Sequence, residues 1–171
     1  MVNAYLKAVD KHVVAESTNL TATNYGRHIF NVKASEDIDN GKLVNIDAMK
    51  YKENEYYTMV EPTTTSRVGL ILSVPVGPDE RPLAATYEYN FYNGKDEIMR
   101  VYELAAGDRF TISANGLTGT IAVGKLVEAD GYGMKVIEDA TTSTNAFYGE
   151  VIEVIKRTGG TFYKVLVRKN G

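Results

Sequence analysis

The sequence has no cysteine and no tryptophan, and it has only four prolines and two histidines. Without cysteine the chain forms no disulfide, and it offers neither a thiolate metal ligand nor a thiol nucleophile. The two histidines, His12 and His28, lie 16 residues apart, without a glutamate on a helix to complete a zinc site. The sequence therefore predicts no metal site and no cofactor.

Basic charge and long apolar runs are also scarce. The chain has 19 Lys and Arg against 22 Asp and Glu, a formal net charge of −3, which lacks the basic bias of a protein that binds phosphate backbones. No apolar run approaches the roughly 20 residues that cross a bilayer. Residues 1–7 lack the basic start and long apolar stretch of a secretory signal. Nucleic acid and membranes are therefore not expected partners.

Residues that suit a pleated sheet are abundant instead. The sequence contains 18 Val, 10 Ile, 16 Thr and 12 Tyr, about a third of its 171 residues. Fifteen glycines, with clusters of Asn, Asp and Pro, supply turns at short intervals. This composition predicts an all-β, or at least β-dominated, fold.

Strand-like runs occupy residues 27–32, 42–46, 56–60 and 68–76. The last run is nearly continuous Val, Leu and Ile, which predicts a strand that is buried on both faces. The C-terminal part predicts a meander with strands at 110–113, 119–123, 125–128, 134–137, 146–155 and 161–167. A tight turn is predicted at residues 158–160.

The middle of the chain carries the clearest local turn motif. Asn93-Gly94 favours a type I′ turn, which would join residues 86–92 to residues 95–104 as a hairpin. The preceding residues, 75–82, contain three of the four prolines and should form a loop or a sheet-edge excursion. We therefore predict an inserted loop and protruding hairpin over residues 77–104.

The N-terminal segment, residues 1–26, is predicted to be an arm, and residues 27–171 a barrel-like body. The polar stretch of the arm at residues 16–24 has no clear periodicity, which is typical of a frayed terminus or of a segment that orders only on a partner. The second alternative predicts that deleting residues 1–20 leaves the body folded. It also predicts contacts with the partner through Tyr5, Leu6, Val9 and Val13.

The tetrapeptide Gly-Lys-Leu-Val occurs twice, at residues 41–44 and 124–127, and an Asp follows three residues after each Val. Downstream, residues 69–74 and 149–154 also match, 28 and 25 residues after the glycine of their own tetrapeptide. Two matches in the same order suggest a duplicated β-unit over about residues 38–76 and 118–156. The alternative is that both pairs of matches are common patterns of a turn followed by a strand and do not reflect a duplication.

Motifs that could support catalysis are incomplete. Residues 119–125 have the glycine and lysine spacing of a phosphate-binding loop, but Leu126 replaces the hydroxyl that would hold Mg²⁺. Residues 37–41 resemble the start of a calcium loop, yet the glycine comes one position early and Ala48 stands where a glutamate is needed. No Gly-x-Ser-x-Gly elbow occurs. We assign no catalytic residue and predict that the protein is not an enzyme.

Four segments in order, residues 38–44, 68–72, 105–112 and 123–127, give a turn-and-strand rhythm that resembles a known family. It resembles the small capsid decoration (head auxiliary, or cement) proteins of tailed bacteriophages. The resemblance covers roughly residues 15–155, and the longer middle at residues 75–104 departs from the smallest members.

This resemblance implies a virion structural protein, made in the host cytoplasm and located on the capsid exterior. It implies a β-barrel or β-tulip-like body, and an N-terminal arm laid across neighbouring subunits of the major capsid protein. A homotrimer and a role in stabilising the assembled shell are further expectations from the family.

A different class of function is the runner-up. A carbohydrate- or host-surface-binding module could use tyrosines in or near loops to stack on sugar rings. The candidates are Tyr5, Tyr51, Tyr56, Tyr57, Tyr92 and Tyr132. A hydrolase that uses loop carboxylates is the third and weakest alternative.

Overall fold

The computed structural model describes residues 12–25, 28–52, 55–75, 90–138, 143–157 and 160–171. It is β-dominated, with 51% strand, 6% helix and a sheet that curls into a half-barrel. The all-β fold class is therefore confirmed. The physical reason is the one that composition indicated, since β-branched and aromatic side chains fill the pleated surfaces.

The described elements follow one another along the chain as short strands. They are β1 (Ala15–Asn19), α1 (Thr21–Tyr25), β2 (Ile29–Lys33), β3 (Leu43–Asn45), β4 (Tyr51–Lys52), β5 (Tyr56–Thr58), β6 (Val68–Ile71), β7 (Ile98–Glu103), β8 (Arg109–Ser113), a 3₁₀ turn (Ala114–Gly116), β9 (Leu117–Thr118), β10 (Leu126–Asp130), β11 (Gly133–Ile137), β12 (Phe147–Arg157) and β13 (Gly160–Asn170).

These strands form two sheets. The seven-stranded sheet has the order β1-β8-β13-β12-β10-β11-β9, and the six-stranded sheet has the order β3-β6-β7-β2-β5-β4. In the first sheet β9 follows β8 directly after the 3₁₀ turn, and it pairs with β11 rather than with the neighbours of β8. The chain therefore bends this sheet back towards itself.

The main hydrophobic core combines buried side chains from both sheets. Leu43 and Leu70 of the six-stranded sheet lie in one cluster with Phe110, Val127 and Val165 of the other. A second cluster contains the alternate residues Val44 and Ile71 with Val32, Met99 and Val101. Strand β6 is thus buried on both faces, as predicted for the continuous apolar run, although the strand ends at Ile71.

The two sheets contain four-strand units of the same design. In the first unit the order is β2-β7-β6-β3, and in the second it is β8-β13-β12-β10. All neighbouring strands within both units are antiparallel, and three cross-strand pairs of the first unit have an equivalent in the second. Phe30↔Val101 corresponds to Phe110↔Val165, Ile71↔Val101 to Val151↔Val165, and Val44↔Gly69 to Val127↔Gly149.

The Gly-Lys-Leu-Val copies occupy the same place in the two units. Gly41 and Gly124 both have positive φ, 80° and 85°. Gly41 N donates to Ile71 O at 2.8 Å, and Gly124 N donates to Val151 O at 2.8 Å. The return bonds, from Ile71 N to Lys42 O and from Val151 N to Lys125 O, are both 2.9 Å. A duplication of the chain stays a prediction, and this shared geometry supports it.

The arm predicted at residues 1–26 is not confirmed. Residues 1–11 lie outside the described residues, but β1 pairs with β8 at the edge of the seven-stranded sheet. Val13, Val14 and Leu20 are buried, with 4%, 4% and 0% exposure. The polar residues at 16–19 lie on an edge strand, and the apolar residues at either end of that strand fix it to the body.

The protruding hairpin predicted at Asn93-Gly94 is not confirmed either. Residues 76–89, which contain much of its first strand, lie outside the described residues. Asn93 instead forms a bridge with Ile38, through two backbone bonds of 2.8 and 2.9 Å. The left-handed residue at this turn is Asp96, with φ 68°. Strand β7 follows the turn and enters the six-stranded sheet between β6 and β2.

Two further predictions concern the C-terminal part. The strand expected at residues 119–123 is wrong, because this segment is an irregular turn between β9 and β10. The meander from β10 to β13 is present, and β12 pairs with β13 over the whole length from Phe147↔Asn170 to Arg157↔Gly160. Residues 158 and 159 of the predicted tight turn lie outside the described residues.

Candidate functional site

The outer edge of β1 borders a cleft of about 290 Å³, here called the edge cleft. One wall is residues 14–17, which includes the first part of β1, and the other is residues 72–75 after β6. Asn40 and Tyr102 complete the lining. Leu72, Tyr102 and Ala15 pack against the main core, so the part of the lining that they form, here called the floor, is apolar.

Side-chain bonds hold both walls of the edge cleft in place. Val14 N donates to Ser113 Oγ at 2.9 Å, and Ser113 N donates to Val14 O at 2.8 Å. On the opposite wall, Asn40 Nδ2 donates to Ser73 O at 2.8 Å and Ser73 N donates to Asn40 Oδ1 at 2.9 Å. The cleft is thus formed by backbone that is fixed before any partner arrives.

Among the described strands, β1 pairs with β8 alone, so the other side of its backbone has no partner within the described residues. Ser113 N donates to the backbone oxygen of Val14, and along an antiparallel ladder the residues that bond across alternate with residues that do not. By this alternation the backbone N–H and C=O groups of Glu16 are directed towards β8, and those of Ala15 and Ser17 are directed away from it. An unpaired strand edge next to an apolar floor is the arrangement that accepts an extended peptide as an added strand.

The side chains of β1 do little to protect this edge. Glu16 is the one charged residue of the strand, and both its carboxylate oxygens accept hydrogen bonds from Arg157, at 2.5 and 3.0 Å. A shift in register between Ser17 and Asn19 is the remaining irregularity. At the rim of the cleft, Val74 is 69% exposed. This surface therefore has apolar contacts and backbone groups available for a partner.

The residues predicted to contact a partner divide into two groups. Tyr5, Leu6 and Val9 lie outside the described residues. Val13 is in the main core, where it packs beside Gly41. Its buried position removes Val13 from the candidate contact residues. The β1 edge was not predicted, because the Ser-Thr-Asn composition of this segment is also typical of an arm.

Most of the candidate sugar-stacking tyrosines make packing contacts. The ring of Tyr57 lies edge-on to Phe30 and to Tyr51, at 5.4 and 5.3 Å between centroids. Tyr92 stacks on His12 at 5.2 Å, and the Lys33 ammonium lies 5.7 Å from the ring centroid of Tyr56. Tyr51 is 60% exposed and keeps a free ring surface. Tyr5 lies outside the described residues.

The last of these tyrosines, Tyr132, connects the two sheets. It packs against the second hydrophobic cluster, and its backbone oxygen accepts a hydrogen bond from Leu43 N at 2.8 Å. Burial raises the pKa of the Tyr132 hydroxyl, and the nearby carboxylates of Glu36 and Glu61 raise it further. Tyr132 is therefore a packing residue that connects the two sheets, and not an exposed surface on which a sugar ring could stack.

The calcium-like turn at residues 37–41 uses its polar groups internally. Asp37 Oδ1 accepts from Lys95 N at 2.8 Å. Asp39 contacts His12 Nδ1 at 2.8 Å and accepts from Val13 N at 3.0 Å. Across the described ranges, no group of three or more His, Cys, Asp or Glu side chains could hold a metal ion. The oxygens of this turn therefore organise the chain around Gly41.

A surface network links the ends of four strands. Arg67 Nε donates to Asp47 Oδ1 and Arg67 Nη1 donates to Glu103 Oε1, both at 2.8 Å. His28 Nδ1 lies 2.5 Å from Glu103 Oε2. The backbone N–H and side chain of Arg67 hold the pKa of the Asp47 carboxyl below its usual range. This network is structural, because it joins residues at the ends of β2, β3, β6 and β7.

Two further predictions from the sequence concern phosphate binding and membrane spans. In the segment that resembles a phosphate-binding loop, the Lys125 ammonium pairs with Glu138 at 3.4 Å. Among the described helical segments, none has the length and apolar content needed to span a bilayer.

The comparisons with known proteins give no relative from which a function could be transferred. Neither the protein-family models, nor the curated proteins, nor the solved structures include a match to this chain.

Proposed function

We propose that this protein is a capsid decoration protein, which binds the outer surface of an assembled bacteriophage shell and stabilises it. The edge cleft is the observation that carries this proposal. A cement protein needs a preformed surface that can add backbone hydrogen bonds to a partner, and the free side of β1 offers such a surface. The turn-and-strand resemblance to this family supplies the identity of the partner, the major capsid protein.

In this mechanism an extended segment of the capsid protein pairs with Ala15 and Ser17 of β1. One of its apolar side chains fills the floor formed by Leu72 and Tyr102. Glu16 stays paired with Arg157, so no unpaired charge is buried when the partner binds. The proposal places the protein on the virion exterior, where a trimer of this chain would contact several capsid subunits at once.

Co-sedimentation with undecorated capsids tests the function. Purified protein should bind in a saturable manner and in a fixed ratio to lattice positions. Absence of binding at micromolar concentration would refute the proposed function.

Two variants at one position test the site separately. Ser17→Pro removes the backbone N–H that points away from β8, while a proline at a strand edge leaves the ladder to β8 intact. Ser17→Ala keeps the N–H and removes only the hydroxyl. We expect Ser17→Pro to weaken capsid binding at least tenfold, and Ser17→Ala to bind within about twofold of the original protein. If Ser17→Pro binds at full strength, the function stands and the edge cleft is not the contact surface.

A further inference from the structure

A second cleft, of about 320 Å³, lies on the side of the molecule where the two four-strand units meet. We call it the amide cleft. Residues 62–64, from the loop between β5 and β6, form one wall, and β10, β11 and residues 144–145 form the other. A backbone hydrogen bond of 2.6 Å, from Ala146 N to Thr64 O, ties the two walls together.

The wall of this cleft contains an unpaired buried acceptor, Asn145 Oδ1. Asn145 is 7% exposed, and its Nδ2 donates to Ala129 O at 3.2 Å. Within the part of the chain that the structure describes, Asn145 Oδ1 is the one buried side-chain nitrogen or oxygen without a hydrogen-bond partner. Buried acceptors in folded proteins are nearly always paired, so this exception needs an explanation.

The charges around Asn145 indicate the chemistry of a ligand. Glu128 is 8% exposed; its Oε2 accepts from Ser143 Oγ at 2.6 Å, and its Oε1 lies 3.2 Å from Lys135 Nζ. The same ammonium lies 4.0 Å from Asp130 Oδ1. Lys135 therefore already occupies the position of a cation between two carboxylates, and one further acceptor, Asn145 Oδ1, remains without a donor.

We propose that the amide cleft binds a neutral, polyhydroxylated ligand, one saccharide unit. A hydroxyl of the sugar donates to Asn145 Oδ1, a second hydroxyl donates to Asp130, and the Lys135 ammonium donates to a sugar oxygen. Asn145 Oδ1 is closed to solvent, so a local movement of the cleft wall accompanies the hydrogen bond from the sugar. This site differs from the tyrosine platform that the sequence suggested, and it does not depend on the proposed capsid function.

A neutral ligand fits better than an ion. A divalent cation would have to displace the Lys135 ammonium from Glu128, and an anion would meet Glu128 and Asp130. A sugar leaves the ion pair in place and supplies several donors to a site with more acceptors than donors. The size of the cleft is at the lower end of the roughly 300–1,000 Å³ typical of small-molecule sites.

Chemical-shift titration of the ¹⁵N-labelled full chain tests the proposal. The probes are D-glucose, D-galactose, D-mannose and N-acetyl-D-glucosamine, each added to about 100 mM, with CaCl₂ titrated in parallel. We expect at least one sugar to shift the amides of Thr63, Asp130 and Asn145 in a saturable manner. Weak, millimolar affinity is sufficient, because one sugar unit makes only a few hydrogen bonds.

Three variants locate the binding. Lys135→Met keeps the aliphatic length and removes the donor, and it should weaken sugar binding about tenfold. Lys125→Met is the matched control, because Lys125 precedes the same β10–β11 hairpin but pairs with exposed Glu138 outside the cleft. Asn145→Ala should abolish the shifts, and Lys135→Met remains informative if Asn145→Ala does not fold.

Three results would overturn the proposal. They are the absence of a saturable shift with every sugar, shifts that persist unchanged in Lys135→Met, and shifts of the same amides by CaCl₂ but not by any sugar. Capsid co-sedimentation is measured independently, so failure of the sugar site and failure of the capsid proposal are distinguishable.

Discussion

Deleting residues 1–20 should unfold the protein. The arm interpretation predicted that this deletion is harmless. The structure predicts the opposite, because the deletion removes β1 and three buried aliphatic side chains, Val13, Val14 and Leu20.

The magnitude follows from the buried side chains. Fully burying a Val or Leu side chain contributes about 1.5–3 kcal/mol, so the three together contribute about 5–9 kcal/mol. Removing residues 12–20 also removes the strand that pairs with the fully buried Ile112 and Phe110 of β8. A typical domain has a total unfolding free energy of about 5–15 kcal/mol. The deletion of residues 1–20 therefore removes most of the stability, or all of it.

Urea denaturation followed by far-ultraviolet circular dichroism measures the effect. The full chain should unfold cooperatively, and the 1–20 deletion should show no cooperative transition. A double substitution in the full chain, Val13→Ala with Leu20→Ala, is a control for the loss of chain length and should lower the unfolding free energy by about 4–8 kcal/mol. If the 1–20 deletion unfolds at the same midpoint as the full chain, the assignment of β1 to the core is wrong.

Two substitutions test packing and charge. Gly149→Ala should destabilise the protein by about 1–3 kcal/mol in urea denaturation, because the new Cβ would lie 2.7 Å from Val165 Cγ1. Adding Val165→Ala should not restore the stability fully, since Leu166 O would still lie 3.1 Å from the new Cβ. An unchanged midpoint for Gly149→Ala would contradict this packing. Asp47→Asn should cost less than about 1 kcal/mol at neutral pH, because the carboxyl is 41% exposed. Since its folded pKa is depressed, the contribution of Asp47 is present above the ordinary value of 3.8 and is lost as the pH falls below it. Melting curves of the two proteins should therefore converge in acid, and a constant gap would count against the ion pair.

Local patterns in the sequence predicted the parts of the fold in which side chains and turns agree. The continuous apolar run from Val68 gave a strand buried on both faces, since such a run has no face for water. The Gly-Lys-Leu-Val copies gave two equivalent turns, because glycine is the residue that adopts positive φ without strain. The long strands β12 and β13 were also found close to their predicted bounds.

Contacts between residues that are distant in sequence could not be predicted from local patterns. Asn93-Gly94 has a strong preference for a type I′ turn, but Asn93 pairs with Ile38, 55 residues away, and also donates from Nδ2 to Ile38 O. The predicted hairpin is therefore not confirmed, and Asn93 instead forms a bridge that no local pattern predicts. The amide cleft was missed for a related reason, since Thr64 and Asn145 are distant in sequence and meet only because the two units pack together.

The N-terminal segment also explains why the two units differ where their sequences are most alike. A Cβ added at Gly41 would lie 3.0 Å from Val13 and Ala15, whereas a Cβ at Gly124 would meet nothing within 4 Å. The segment that precedes and begins β1 thus covers the turn of the first unit and then pairs with β8 of the second.

The residues of the two turns agree with the finding that the N-terminal segment covers only the turn of the first unit. In the first turn, Asp39 and Asn40 are held by bonds to Val13 N and to Ser73, so polar side chains are satisfied under the covering segment. The corresponding residues of the second turn, Ala122 and Val123, are exposed, Val123 by 58%. Beside β8 the second unit has β1, which is antiparallel to it, whereas beside β2 the first unit has β5, which is parallel, and then β4. The free edge that we propose as the capsid contact therefore differs from the edge of the first unit, and it exists because one N-terminal strand crosses between two otherwise similar units.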